Sequence, residues 1–356
     1  MNSLLKQKID IQKENFDTIY LNLTLTNNQP TSQPANIIVN LPANFIPEGE
    51  IWDSGIDRFC LSGQSIPMLI WKDDFYYVTL SYNGVPISAP LLYNSVSDQG
   101  PNQLIPQGIF SYQQIALILN AALSTAFDQL QIAVAPALNA TTAPFVVFNT
   151  TTQNYQLYAD SAFYDETIST PVFIYYNSVL YYLFNNYLSQ FIGENTVSRK
   201  DIRIAVRNMG ANTNVQIIGG VTYDIMSQEY SNTGAINQVQ LISIYSNTMG
   251  ITPELTTASN TGPNLVNTDF SSGGIPITNL IADFSPNFGN ADPAQIRSII
   301  TYLPAYRRLH NRNLVNSSNT ADIQVYWSNA QSVQFPFYIE PNSAMTIKFA
   351  FLKRKF

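Results

Sequence analysis

The chain alternates apolar and polar residues near both of its ends. Residues 19–26 (IYLNLTLT) and residues 345–352 (MTIKFAFL) each carry an apolar side chain at every second position. A period of two is typical of a β-strand with one buried face. We therefore predict a strand at each of these segments, of the kind found in antiparallel sheets with one solvated face.

Two segments have helical spacing instead. In residues 109–127, Ser111 is a candidate N-cap, and Gln114 completes a capping box three residues later. The apolar stripe that follows comprises Ile115, Ile118, Leu119, Ala122, Leu123, Ala126 and Phe127. A second stripe predicts a helix over about 178–191, closed by Gly193.

Most of the remaining pattern consists of short strand-like segments. They lie at 36–42, 57–63, 74–84, 145–149, 155–159, 172–177, 201–208, 215–225, 238–246, 296–304, 321–329 and 334–340. Asn83-Gly84 predicts a hairpin turn. Because strands and helices do not alternate regularly, the pattern predicts a mainly β protein, an antiparallel β-sandwich or jelly roll with elaborations. The Asn- and Thr-rich span 256–274 is predicted to be a long exposed loop.

The composition describes a neutral polar surface over an aromatic core. Charged residues are 12% of the 356 residues, about half the ~25% of an ordinary soluble domain. Aromatic residues are also 12%, and the apolar fraction of 45% argues against disorder. The net charge of −7 provides no general attraction to nucleic acid.

Compartment signals are few. The single cysteine excludes an intrachain disulfide and is compatible with a reducing compartment. The first 16 residues mix charges throughout, so we expect no signal peptide. No stretch approaches 18 uncharged apolar residues, so we expect no membrane span.

Residues able to support catalysis are scarce. Cys60 and His310 would be the thiol and base of a cysteine protease, but we predict a buried structural cysteine and a surface histidine. Asp53-Ser54-Gly55 matches the triplet of aspartic proteases; that chemistry needs a second carboxylate, and a turn is the better interpretation. Asp73-Asp74 is likewise predicted to be a turn. We predict no enzymatic activity, no cofactor and no metal site.

The order of segments resembles that of the penton (minor capsid) proteins of virophages and Polinton-like viruses. The matching segments are DRFCLSGQSIPML (57–69), FSYQQIALILNAALSTAF (110–127), IYYNSVLYYLFNNYLSQFIG (174–193), LIADFSPNF (280–288), ITYLPAYRRL (300–309) and the tail block 322–355. The resemblance implies a single jelly roll with an inserted or elaborated region that contains the two helices. We place an N-terminal arm at 1–14, the jelly roll at 15–84 and 235–356, and the insertion at 85–234.

The resemblance also implies a function and partners. Five copies would form the pentameric penton at the five-fold vertices of an icosahedral double-stranded DNA virus, among trimeric double-jelly-roll major capsid proteins. A five-fold ring requires two different contacting faces on each subunit, and obligate interfaces are poor in charge at their centre. A chain with few charged and many aromatic residues suits that role. The expected location is the virion, assembled in the host cell in a cytoplasmic virus factory.

In a jelly roll the last strand pairs near the first, which would hold the carboxyl end in a sheet. Three cations would then project from the end of that sheet, with three lysines of the N-terminal arm nearby. These residues are Lys353, Arg354 and Lys355, and Lys6, Lys8 and Lys13. Their expected partners are adjoining capsomers, acidic proteins or genomic DNA through phosphate attraction. The alternative is a solubilising end that guards an edge strand.

A jelly-roll lectin or host-attachment protein is the alternative function. A lectin would need clustered carboxylates and amides for Ca²⁺, or an aromatic platform with carboxylates nearby. Asp283, Asn290 and Asp292 form the one candidate cluster, in a segment that reads as a loop.

Overall fold

The computed structural model describes residues 18–41, 52–63, 65–93, 107–207, 213–231, 236, 239–246, 254–255, 277–278, 280–286, 299–304, 310–312, 320–328 and 334–353. The chain forms two compact units. Unit one comprises Met1–Ile66 and Val239–Phe356, and unit two comprises Pro67–Gln238. Unit two is therefore an insertion within the sequence of unit one.

The described strands and helices follow one another from unit one to unit two and back. Unit one begins with β1 (Thr18–Thr26), β2 (Gln33–Pro34), β3 (Asn36–Asn40) and β4 (Trp52–Ser62). Unit two has β5 (Leu69–Ile70), β6 (Tyr77–Tyr82), β7 (Val85–Pro90), β8 (Gly108–Ile109), α1 (Tyr112–Val134), β9 (Phe145–Asn149), β10 (Asn154–Asp160), α2 (Ser161–Tyr164), β11 (Phe173–Tyr176), α3 (Ser178–Leu183), β12 (Ser189–Phe191), β13 (Ile202–Ile204), β14 (Thr213–Ile218) and β15 (Val221–Ser227). Unit one resumes with β16 (Leu241–Tyr245), β17 (Glu254–Leu255), β18 (Ile277–Thr278), β19 (Leu280–Phe284), β20 (Ile299–Tyr302), β21 (His310–Arg312), β22 (Thr320–Ser328), β23 (Gln334–Pro336), β24 (Tyr338–Ile339) and β25 (Ala344–Lys353).

Unit one is a jelly roll. One of its sheets has the order β1-β25-β4-β20, and β21 also pairs with β4. The other has the order β19-β16-β22, with β3 and β23 both paired to β22. When β1, β3, β4, β16, β19, β20, β22 and β25 are numbered 1 to 8 along the chain, the two sheets have the orders 1-8-3-6 and 2-7-4-5. This arrangement of eight antiparallel strands in two sheets confirms the predicted jelly roll.

The core of unit one lies between its two sheets. The rings of Phe59 on β4 and Phe284 on β19 are 5.6 Å apart and come from different sheets. Phe349 and Phe351 on β25 are fully buried, as the alternation of that strand predicts. In β1, the buried and half-buried positions likewise alternate with exposed ones. Sequence periodicity therefore identified the faces that meet in this core.

Unit two contains two larger sheets and the long helix α1. One sheet has the order β12-β13-β11-β6-β7, and the other has the order β14-β15-β10-β9. The helix α1 packs against β6, β7 and β9 and therefore contacts both sheets. The hairpin turn predicted at Asn83-Gly84 is confirmed, because both residues have positive φ and Tyr82 pairs with Val85.

The capped start of α1 is confirmed. The Ser111 hydroxyl accepts a hydrogen bond from the Gln114 backbone N–H at 3.1 Å. The Gln114 side chain in turn accepts one from the Phe110 N–H at 3.2 Å, one residue earlier than in a standard capping box. All seven residues of the predicted stripe are buried, and the helix continues past Phe127 to Val134.

Among the described residues, one helix, α1, is long and apolar enough by length and composition to cross a membrane. This differs from the sequence-based expectation that the chain contains no such segment. The buried face of α1 includes Ile115, Leu119 and Leu123, each at most 1% exposed, and it packs on the two sheets of unit two. We therefore interpret α1 as the core helix of this unit.

The second predicted helix is much shorter than expected. The helix α3 ends at Leu183, and Phe191 at the end of the predicted stripe lies in β12, which pairs with β13. Asn186 has φ +72°, a left-handed conformation that asparagine tolerates and that ends helical geometry. Pairing with β13 thus overrides the helical spacing of Leu188 and Phe191.

The first boundary between the units lies at Ile66/Pro67, earlier than the predicted residue 85. The strand β6, which we predicted within the jelly roll, pairs with β7 and with β11 inside unit two. The Asn83-Gly84 turn is a local signal that β6 pairs with β7, but the sequence carries no local signal that β6 also pairs with β11.

Candidate assembly surfaces

The two ends of the described chain meet in one sheet. The strand β25 pairs with β1 along its length, from Thr18 opposite Leu352 to Thr26 opposite Ala344, and on its other side with β4. Lys353 is half-buried and lies opposite Trp52. The chain therefore enters β1 and leaves β25 at the same end of the sheet.

Of the six predicted contact residues, Lys353 is the one within the described residues. Lys6, Lys8, Lys13, Arg354 and Lys355 lie outside them. Their grouping at the end of the sheet stays a prediction, although the pairing of Thr18 with Leu352 provides the anchor that it requires.

Lys348 is a charged residue of this sheet that the sequence analysis did not single out. Its ammonium lies 3.2 Å from the Asp57 carboxylate and 4.0 Å from the centre of the Tyr20 ring. These partners sit on neighbouring strands on either side of β25, so Lys348 ties the solvated faces of β1, β25 and β4 together. The sequence signal for this role was its position among the outward-facing residues of the alternating strand, between Ile347 and Phe349.

The structure separates the candidate protease pair. His310 lies opposite Ser54 on β4, and Cys60 is six residues further along that strand, which corresponds to about 20 Å. Cys60 is also half-buried, so the prediction of a buried cysteine is wrong. The alternation of β4 turns Phe59 and Leu61 inward and Cys60 outward.

The carboxylate candidates occupy structural positions. Residues 53–55 lie within β4, not in a turn, because β25 and β21 pair with this part of the strand on either side. Asp73 is in the predicted turn, where its carboxylate accepts hydrogen bonds from the Tyr93 N–H at 2.6 Å and the Gln107 side chain at 3.1 Å. Asp283 is on β19 and not in a loop, while Asn290 and Asp292 lie outside the described residues. Across the described ranges, no group of three His, Cys, Asp or Glu residues could hold a metal ion.

The outer face of the five-stranded sheet in unit two carries cations stacked on aromatic rings. The pairs are Arg199 over Tyr77 at 4.4 Å, Lys200 over Tyr175 at 5.0 Å and Arg203 over Phe173 at 4.9 Å. Arg203 also lies 3.2 Å from Glu166. These cations are held by internal partners, so this face has the features of a fixed structural layer.

An acidic residue fixes the loop that carries Arg199 and Lys200. The Asp201 carboxylate accepts hydrogen bonds from the Ser178 N–H and hydroxyl and from the Asn195 N–H, at 2.6–2.9 Å. Burial opposes ionisation of this carboxyl, but the hydrogen bonds prevail and lower its pKa. The ionised carboxylate therefore joins the start of α3 to the segment before β13.

Exposed apolar side chains in unit two include two groups that lie on edge strands or close to them in the sequence. On β12 and within seven residues of it, they are Tyr182, Leu188, Phe191, Ile192 and Val197. On β14, they are Val215, Ile217 and Ile218. Monomeric proteins rarely expose large contiguous apolar patches, so these two strands are candidate contact surfaces. The sequence analysis predicted these segments as structure but did not show which of their side chains stay exposed.

Comparison with known proteins agrees with an assembly role. The chain is 27% identical over 212 residues to structural protein V19 of Sputnik virophage, covering 58% of this chain and 93% of that protein. It is similar to a chain of the Sputnik virophage structure determined by cryo-EM, with TM-score 0.76 and 25% identity over 95% of this chain and 98% of the other. The mavirus penton protein has the same fold, with TM-score 0.70 and 14% identity over 95% of this chain and 99% of that protein.

The family comparison extends over nearly the whole chain. The model of the Sputnik minor capsid protein V18/19 family matches residues 19–353, from the second residue of β1 to the last residue of β25. The relatives are structural proteins of the virion capsid, so this chain is a capsid protein and not an enzyme. With both strands that close the jelly roll inside the match, the chain belongs to the Sputnik minor capsid protein V18/19 family.

Proposed function

We propose that five copies of this chain form the penton at the five-fold vertices of an icosahedral double-stranded DNA virus particle. The observation that carries the proposal is the fold match to the mavirus penton protein over 95% of this chain. The jelly-roll order of unit one and the low content of charged residues support it. A ring of such subunits covers neutral and aromatic surface that an isolated domain would expose to water.

The proposed neighbours of this ring are trimeric double-jelly-roll major capsid proteins. The protein would be made in the host cell, join the particle in a cytoplasmic virus factory and stay at the capsid vertex. A single jelly roll suits the vertex because five small subunits fit around an axis that a trimer cannot occupy symmetrically.

Native mass spectrometry of the recombinant full-length chain tests the oligomeric state. Because a closed ring has a fixed number of subunits, we expect one dominant species of about 200 kDa, five times the 39.7-kDa chain. Major capsid protein, added afterwards, is expected to bind the pentamer. A chain that stays monomeric at micromolar concentration, alone and with major capsid protein, contradicts the proposal.

The cations at the carboxyl end provide a second test. If Lys353, Arg354 and Lys355 contact genomic DNA or an acidic capsomer surface, replacing all three with serine is expected to weaken that contact and to reduce its dependence on salt. The measurements are DNA content and penton occupancy of assembled particles. Lys72→Ser, at an exposed lysine of unit two, is the control. Unchanged DNA content and occupancy would leave these cations only the role of guarding the sheet edge.

A further inference from the structure

The sheet β14-β15-β10-β9 ends in two edge strands, β14 and β9, which differ in how their unpaired backbone groups are protected. A strand at the edge of a sheet presents unpaired N–H and C=O groups, and proteins usually protect such edges from pairing with other chains. At β9, the Asn120 side chain of α1 provides that protection. It donates a hydrogen bond to the Val146 carbonyl at 2.9 Å and accepts one from the Val146 N–H at 2.6 Å.

Other described edges in unit two are also protected. The six-residue strand β7 forms one edge of the five-stranded sheet and contains Pro86 and Pro90, which lack the N–H that pairing requires. The opposite edge, β12, is only three residues long. Proline and short length are both common means of preventing edge-to-edge association.

Within the part of the chain that the structure describes, β14 has none of these protections. It is six residues long, its sequence TNVQII contains neither charge nor proline, and among the described strands it pairs with β15 alone. Its side chains are exposed from Asn214 to Ile218, with Val215 at 52% and Ile217 at 70%. A long, uncharged and apolar free edge is the feature that leads to pairing with another chain.

The hairpin that carries β14 is geometrically defined. Gly219 and Gly220 form its two-residue turn with φ of +57° and +86°, and Ile218 pairs with Val221 across it. Positive φ at both positions is the type I′ geometry that matches the twist of paired strands. The apolar edge is therefore presented on a regular ladder in defined register with β15.

From this contrast, and resting on the proposed pentamer, we propose that β14 is a subunit contact of the ring, with its free edge and apolar side chains covered by a neighbouring copy of this chain. The absence of charge on β14 indicates which kind of partner binds it. A strand without charge offers nothing to DNA or to an acidic or basic peptide, whereas copies of a chain with 12% charged residues supply neutral surface. Pairing of β14 with β14 would give a two-fold dimer, so in a ring it meets a different surface of its neighbour.

The test compares Ile217→Lys with Val147→Lys in the full-length chain. Both substitutions add one lysine at an exposed position of an edge strand in the same sheet, on β14 and β9 respectively. Because an unpaired ammonium would be buried in the contact, we expect Ile217→Lys to raise the protein concentration needed for pentamer formation by about tenfold or more. We expect Val147→Lys to leave that concentration unchanged. Analytical ultracentrifugation measures both.

Each outcome decides a separate question. Pentamers of equal strength in both variants overturn the contact at β14 and leave the penton proposal standing. A wild-type chain that never forms pentamers overturns both. If Ile217→Lys forms pentamers of normal strength that no longer enter particles, β14 contacts another protein of the particle. That result overturns the proposal that a second copy of this chain covers β14.

Hydrogen exchange on the wild-type protein keeps the test valid if Ile217→Lys fails to fold. Backbone amides of β14 are expected to exchange more slowly in the pentamer than in the diluted monomer, while amides of β9 behave the same in both. Equal exchange of β14 in the two states overturns the inference. Circular dichroism verifies folding of each variant, since substitutions at exposed positions usually change stability little.

Discussion

Replacing Phe349 with alanine is expected to lower the free energy of unfolding of the jelly-roll unit by about 3–5 kcal/mol. Phe349 is fully buried on β25, between Leu21 of β1 and Ile56 of β4 in the register of the sheet. Truncation removes the ring from the core and leaves a cavity that these long paired strands cannot close. Urea unfolding followed by tryptophan fluorescence measures the effect.

Tyr20→Ala is the control for this prediction. Tyr20 is on β1 in the same sheet, but its ring is 48% exposed and contacts the Lys348 ammonium on the solvated face. An exposed cation–π pair contributes about 0.5–1 kcal/mol, so the loss should stay near that value. If Phe349→Ala costs no more than Tyr20→Ala, the assignment of the buried face of β25 is wrong.

The sequence predicted the faces of elements well where burial alone decides them. The period of two in β1 and β25 and the stripe of α1 all correspond to buried positions. The Ser111 cap was also predictable, because it depends on contacts within four residues. These features are local, so one sequence contains all the information that they need.

Features that depend on distant pairing could not be predicted. The helical spacing after Leu183 predicted a longer helix, but Ser189–Phe191 form β12 because they pair with β13. The first unit boundary differs from the predicted one because β6 pairs with β11, about 95 residues later in the chain. The position of Cys60, in contrast, was predictable, because the alternation of β4 places it on the face opposite to Phe59 and Leu61.

The candidate contact surface combines a predictable and an unpredictable feature. The absence of charge and proline in β14 is visible in the sequence, as is the Gly219-Gly220 turn. The protection of the opposite edge is not visible, because Asn120 and Val146 are 26 residues apart and meet only through packing of α1 on β9. The contrast between open and closed edges therefore required the fold.

Asn120→Ala is expected to lower the free energy of unfolding of unit two by about 2–4 kcal/mol. The change removes two hydrogen bonds and leaves the Val146 N–H and carbonyl without their partner, on a residue that is 1% exposed. Each unsatisfied buried group costs about 1–3 kcal/mol. Asn120→Asp keeps the acceptor but loses the donor, so its effect should be intermediate. Chemical unfolding of the purified pentamer or monomer measures all three proteins.

The same substitution tests the reasoning about edges. With Asn120 gone, β9 becomes a second open edge, and Asn120→Ala is expected to form concentration-dependent assemblies larger than the wild-type species in light scattering. Thr125→Ala is the matched control on α1, because its exposed hydroxyl bonds to the Ala121 carbonyl of its own helix. If Asn120→Ala is as stable as Thr125→Ala and associates no further, the side-chain amide does not protect β9. The difference between the protected edge β9 and the unprotected edge β14 would then no longer support a contact at β14, because an unprotected edge of this sheet would not lead to association.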